Sequence, residues 1–295
     1  MEWYQEVFAA RKAKYQAHEE AFYTHPASEA IAPFRLADGL WYVGDRMVCV
    51  HLIETREGLI LLDSGYFHTN HLLFESIRRL GFDPADVRWI LHTHEHFDHF
   101  GAAEEFRALY GTKSAISAAG AASLRENPAR ALLDWGHTPY VELPRFDYEL
   151  QDGESFTFGG VTIRCVATPG HALGVMSFFF EVTDGGEKHL AGLFGGAGTG
   201  ALTAEYILSL GLPLDMPQRM LASIERAAKE PVTLHLGNHP GNSHTLEKRA
   251  QQLGHGGNPF LDDGASWGSF LAGLRATSER IAGENVEKFR ARGLA

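Results

Sequence analysis

Residues 93 to 99 read Thr93-His94-Glu95-His96-Phe97-Asp98-His99, directly after the apolar run Val87-Arg88-Trp89-Ile90-Leu91. Three histidines and a carboxylate thus fall within six positions at the end of a predicted strand. Imidazole nitrogen and carboxylate oxygen are the donors that zinc takes in catalytic sites. Residues two apart on an extended segment project to the same side. His94 and His96 can therefore share one ion while Asp98 and His99 turn to a second. A lone histidine belongs to the surface or to a satisfied core; four donors at this spacing beside a strand end point to a metal site.

Working outward, Gly58-Leu59-Ile60-Leu61-Leu62 runs into the turn Asp63-Ser64-Gly65. Further on, the apolar segment from Val161 to Ala167 closes on Thr168-Pro169-Gly170-His171, and Val232-Thr233-Leu234-His235-Leu236 leads to Gly237-Asn238-His239-Pro240. With the motif His-x-His-x-Asp-His, these segments resemble the metallo-β-lactamase superfamily from Leu40 to Phe260. The resemblance implies an α+β fold, an αββα sandwich of two packed mixed sheets with helices on the outer faces. One domain over residues 1–295 is expected. Periodicity alone supports only mixed α and β.

The resemblance also implies a cofactor of two zinc ions, with His94, His96 and His171 on one and Asp98, His99 and His239 on the other. Such ions lower the pKa of water from 15.7 to about 7. The implied activity is attack of a metal-bound hydroxide on a lactam, amide or ester carbonyl, with Asp98 both ligating the second ion and orienting the hydroxide. Asp63 is expected to hold the ligand loops, or to be a plain turn aspartate.

One departure narrows the subclass. Most binuclear members place a bridging aspartate, and some lactamases a cysteine, after a strand between the third and last histidines. Here His189-Leu190-Ala191-Gly192-Leu193-Phe194 runs into Gly195-Gly196-Ala197-Gly198-Thr199-Gly200, with no donor. Together with His99 and the segment Gly257-Asn258-Pro259-Phe260, this resembles the third subclass of class B metallo-β-lactamases. The same absence speaks against glyoxalase-like thioesterases, acyl-homoserine lactonases and sulfur dioxygenases. His96 in place of a glutamate speaks against flavodiiron oxidoreductases. The glycine run predicts a close approach of backbone to substrate, with Gly196 and Thr199 as substrate contacts; no Gly-Lys-Ser/Thr follows, as a phosphate loop requires. In the resembled subclass small hydroxyl residues near this point bind the substrate carboxylate, and here Thr199 is the nearby hydroxyl, which predicts weak β-lactamase activity. His137, in Trp135-Gly136-His137-Thr138-Pro139-Tyr140, is expected on a substrate-facing loop.

Composition fits a globular enzyme: 295 residues, 44% hydrophobic, suffice for a sizeable core. A net charge of -11, from 26 basic and 37 acidic residues, argues against nucleic acid as the main partner. Cys49 and Cys165 lie in β-type apolar runs and are expected as buried thiols. The N-terminus lacks a basic region followed by an apolar stretch, and no run of ~18 apolar residues occurs. A cytoplasmic protein with a small-molecule substrate and no membrane partner is expected. Trp3, Val7, Phe8, Tyr15 and Phe22 give residues 2–22 helical spacing, either as a cover on the domain or as the arm of a homodimer. Residues 256–295 are expected as a helical cover. Thr69 is the predicted N-cap of a helix from His71 to Leu80. The leading function is a dinuclear zinc hydrolase, β-lactamase-like; the alternatives are a lactone or thioester hydrolase and a non-catalytic metal-binding protein.

Overall fold

The computed structural model describes residues 2–136 and 142–294, apart from the side chains of residues 18, 19 and 21. Helix α1 (Trp3–Thr24) precedes a seven-stranded sheet whose strands lie in sequence order: β1 (Phe34–Ala37), β2 (Leu40–Tyr42), β3 (His51–Thr55), β4 (Gly58–Leu62), β5 (Val87–Leu91), β6 (Lys113–Ser117) and β7 (Tyr148–Leu150). Strands β1 to β4 pair antiparallel, and β4 to β7 pair parallel. The change follows the connections. Asp38-Gly39 and Arg56-Glu57 are tight turns, whereas α2 (Asn70–Arg79), α3 (Ala103–Tyr110) and α4 (Ala118–Glu126) supply the crossovers that parallel neighbours need.

The second sheet holds β8 (Ser155–Phe158), β9 (Val161–Ala167), β10 (Met176–Asp184), β11 (Glu187–Leu193) and β12 (Leu234–Leu236), in the order β12-β11-β10-β9-β8. It is antiparallel except between β11 and β12, which are joined through α5 (Ala204–Ser209) and α6 (Met216–Ala227). Helices α7 (Pro240–Ser243), α8 (Thr245–His255) and α9 (Ala265–Arg290) complete the chain.

Side-chain alternation explains the layers. On β4, Ile60 and Leu62 face the second sheet, while Leu59 and Leu61 face Leu73, Phe74 and Ile77 of α2 and Phe106 of α3. On β10, Phe178 and Phe180 enter the inter-sheet core and Phe179 packs edge-on to Trp267 of α9, at 6.0 Å between ring centres. Each such buried aromatic contributes about 1.5–3 kcal/mol. The result is the αββα sandwich, with α9 as its C-terminal cover. Cys49 and Cys165 are buried free thiols.

Thr69 stands at the N-cap position of α2 as expected, but its side chain makes no capping bond. It ends a 3-10 turn, Phe67–Thr69, with φ -105° and ψ 9°, and its hydroxyl donates back to the Tyr66 carbonyl at 3.3 Å rather than accepting from an amide of α2. Among the described residues no helix is long and apolar enough to cross a membrane.

For the site, the consequence is one shared edge. The loops after β4, β5, β9 and β12 carry Asp63, the 94–99 motif, His171 and His239 respectively.

Candidate metal centre

Two groups of three donors come together at that edge: His94, His96 and His171, and Asp98, His99 and His239. In the first, His96 Nδ1 lies 3.1 Å from His94 Nε2 and 3.0 Å from His171 Nε2. In the second, Asp98 Oδ2 lies 3.4 Å from both His99 Nε2 and His239 Nε2. Tetrahedral zinc with bonds of roughly 2.0–2.1 Å sets its ligands about 3.3 Å apart. Both groups are close to that spacing. Buried His99 Nε2 also lacks a hydrogen-bond partner, so the donor set fits a metal.

Every one of the five imidazoles is held through its other nitrogen. His94 Nδ1 donates to Thr93 Oγ1 at 3.0 Å, and Thr93 Oγ1 donates to Asp63 Oδ2 at 2.8 Å. His99 Nδ1 donates to the same Asp63 Oδ2 at 2.8 Å, and Asp63 Oδ1 accepts from the Thr93 amide at 2.7 Å. His171 Nδ1 donates to the Gly198 carbonyl at 2.8 Å, and His239 Nδ1 to the Met47 carbonyl at 2.8 Å. With Nδ1 turned to its group, His96 donates through Nε2 to the Tyr206 hydroxyl at 3.3 Å. Such partners fix the tautomer and the ring plane of a metal ligand. Asp63 serves both groups at once, from a left-handed backbone conformation (φ 62°) that aspartate tolerates.

Electrostatics agree with the donor chemistry. Burial pushes the pKa of His94 and His96 well down, and that of His171 to about 4, which keeps these rings neutral. Burial alone would raise the Asp98 carboxyl, but His99 and His239 hold it well below its usual range. At His99 burial, which lowers the pKa, is outweighed by Asp98 and Asp63, which hold it up at about 10. The field between these two carboxylates favours a cation.

The groups open onto a cavity of about 320 Å³ walled by Tyr66, Phe97, Leu132, Trp135 and Tyr206. Helix α1 roofs it, contributing Arg11 and Tyr15. Phe8 of α1 packs edge-on to Trp135 and Tyr206, at 5.3 and 5.7 Å between centres, and Tyr15 lies 5.6 Å from Trp135. The helix thus covers its own domain.

Three expected substrate residues fare differently. Thr199 opens a 3-10 turn, Thr199–Leu202, and lines a neighbouring hollow of about 610 Å³ with Asn242, Lys248 and Ser266, not the metal cavity. That larger hollow contains none of the six donors. Gly196 is buried behind His171, where a Cβ would come within 3.0 Å of the ring; it does not line the cavity. The close approach of the glycine run is therefore to a histidine. His137 lies outside the described residues.

Sequence reasoning missed Glu95, Tyr206 and Arg11. Glu95 is 1% exposed and accepts the Gly174 amide at 3.1 Å, tying the 94–99 loop to the His171 loop. Its signal was present: in an extended segment it points opposite to His94 and His96. Tyr206 and Arg11 had none, because each arrives from a distant helix.

The chain resembles known proteins in sequence and in fold. The sequence model of the metallo-β-lactamase superfamily matches residues 43–184. A hydroxyacylglutathione hydrolase of Acidiphilium cryptum is 31% identical over 153 residues, 51% of this chain and 49% of that one. An N-acyl homoserine lactonase of Bacillus cereus is 29% identical over 164 residues, 47% of this chain and 60% of that one. The chain thus spans about half of the length of the first relative and three fifths of that of the second. A subclass B3 metallo-β-lactamase of Bradyrhizobium japonicum superposes with a TM-score of 0.77 at 24% identity, covering 88% of this chain and 97% of that one. A metallo-β-lactamase of Cronobacter sakazakii gives 0.72 at 26% identity, with 87% and 96% covered. The fold is the metallo-β-lactamase fold, and the structural likeness to the subclass B3 enzyme of Bradyrhizobium japonicum covers 88% of the chain.

Proposed function

We propose that this chain, whose residues 43–184 match the metallo-β-lactamase superfamily model, is a dinuclear zinc hydrolase acting on a lactam, amide or ester carbonyl. The observation that carries it is the pair of three-donor groups, each imidazole oriented from behind by a hydrogen bond. His94, His96 and His171 hold the first ion, and Asp98, His99 and His239 the second. Bound ions supply the charge that makes water nucleophilic near neutral pH and polarises a carbonyl.

The chain's own residues do the rest. Asp98, kept ionised by its histidine neighbours, accepts a hydrogen bond from the attacking water and points it at the carbonyl. Phe97, Leu132 and Trp135 replace bulk water around the substrate, which strengthens every charge interaction in the cavity. Asp63 holds both groups in register through Thr93 and His99.

A lactone or thioester substrate is the second reading, favoured by the sequence likeness to the hydroxyacylglutathione hydrolase and the lactonase. The test is elemental analysis followed by a panel of β-lactams, lactones and thioesters on one zinc-loaded sample. Close to two zinc ions per chain and turnover on one class are expected. Iron as the dominant metal, or at most one firmly held ion, would overturn the two-zinc assignment; turnover on none of the three classes would overturn the hydrolase.

A further inference from the structure

Arg11 has a place in the cavity that the hydrolytic reading does not use. It projects from α1 into the wall of the metal cavity, where its Nη1 donates to the Gly200 carbonyl at 2.6 Å and to Thr203 Oγ1 at 3.4 Å. Its guanidinium carbon stands 5.9 Å from the centre of the Tyr206 ring. Neighbouring Lys12 pairs with Asp134, but among the described residues no carboxylate lies within ion-pair distance of Arg11. The cavity's own carboxylate, Asp98, is turned to His99 and His239. A guanidinium has five N–H donors in a fixed fork, and those of Arg11 that Gly200 and Thr203 leave over are available to an acceptor in the cavity.

The chain makes room for this cation. A Cβ on Gly200 would stand 1.6 Å from Arg11 Nη2, so any other residue at 200 displaces the guanidinium. Two residues earlier the Gly198 carbonyl holds His171. Consecutive Cα atoms are 3.8 Å apart, so the Cα atoms of the two anchoring glycines, one behind the guanidinium and one behind a metal-facing histidine, lie at most about 7.6 Å apart along one segment.

We infer that Arg11 is the specificity residue of this cavity and selects substrates carrying a carboxylate, with their apolar body against Phe97, Leu132 and Trp135. The inference deepens the hydrolase reading and rests on it for the reaction, but not for the binding. A planar fork on a planar carboxylate is the geometry in which arginine outperforms lysine. Arg11 is the one arginine or lysine among the described residues that line the cavity, and the net charge of -11 makes it a selective feature rather than part of a basic surface.

Calorimetric titration of the zinc-loaded protein with phenylacetate and with phenylacetamide tests it. Arg11→Met, which keeps an apolar stem against Tyr206, should weaken phenylacetate tenfold to a hundredfold and leave the amide within about twofold. Gly200→Ala should reproduce that pattern from the other side, and Arg11→Lys should fall between. Should Arg11→Met fail to fold, Arg11→Lys decides by the same ratio. Unchanged phenylacetate affinity, a parallel loss of both ligands, or no phenylacetate binding by the parent protein would overturn the inference. A selective loss in a protein that hydrolyses no substrate of the panel would leave it standing and sink the hydrolase instead. On an active sample, KM for a carboxylate-bearing substrate should rise in Arg11→Met with kcat preserved, while its neutral methyl ester keeps its KM.

Discussion

The floor of the cavity is made of loops at the edge shared by the two sheets, in which each imidazole is fastened by a hydrogen bond of 2.8–3.3 Å to a neighbour. The roof is made of α1, which reaches the body through ring edges at 5.3 to 5.7 Å, the Arg11 contact and an ion pair from Lys12. Hydrogen-bonded partners fix direction, as metal ligands require; aromatic edges fix position and tolerate exchange. Chemistry therefore belongs to the floor and selection to the roof, and the two can be separated by substitution.

The largest effect is expected at Asp98. Asp98→Asn should lower kcat by about 10²–10⁴, the usual contribution of a positioned acid–base group, while the first zinc, held by His94, His96 and His171, keeps its affinity. Equal loss of both ions, read by competition with a chromogenic chelator, would show that the two groups are not independent and would break the division of the floor.

A smaller loss is expected one layer out. Asp63→Asn keeps a residue that tolerates the left-handed backbone but cannot accept from His99 and Thr93 as a carboxylate does. Weakening of zinc binding by about ten- to a hundredfold, measured in the same chelator competition, is expected. An unchanged affinity would mean that the loops hold their geometry without the aspartate.

The smallest effect belongs to the roof. Phe8→Ala removes two edge-on aromatic contacts worth about 1–3 kcal/mol together. KM should rise severalfold and proteolysis within α1 should quicken, with zinc content unchanged. A fall in zinc affinity would erase the distinction between roof and floor.

The same division decides what the sequence could tell. His94, His96, Asp98 and His99 are local, and a strand's two-residue period announces their grouping; His171 and His239 are reached only through the family resemblance, which points to the histidines after those two apolar strands. Helix α1 and the C-terminal helix were visible as periodic segments, but neither the face of α1 that meets the cavity nor Arg11 on it could be read, because Trp135 and Tyr206 lie more than a hundred residues away. Thr199 shows the opposite failure. It sits between two cavity-lining glycines, yet a 3-10 turn sends it to the neighbouring hollow, and no pattern in the hexapeptide says so.

Each donor group draws on both sheets: His94 and His96 follow β5 and His171 follows β9, while Asp98 and His99 follow β5 and His239 follows β12. An ion in either group would be a cross-link between the two halves of the sandwich, bound by the folded chain and not by the unfolded one. At a free concentration a hundred times its dissociation constant, such a ligand adds about 2.7 kcal/mol to folding, a large share of the 5–15 kcal/mol typical of a domain. Metal supply would then govern how many copies of the chain stay folded as well as how many can turn over substrate.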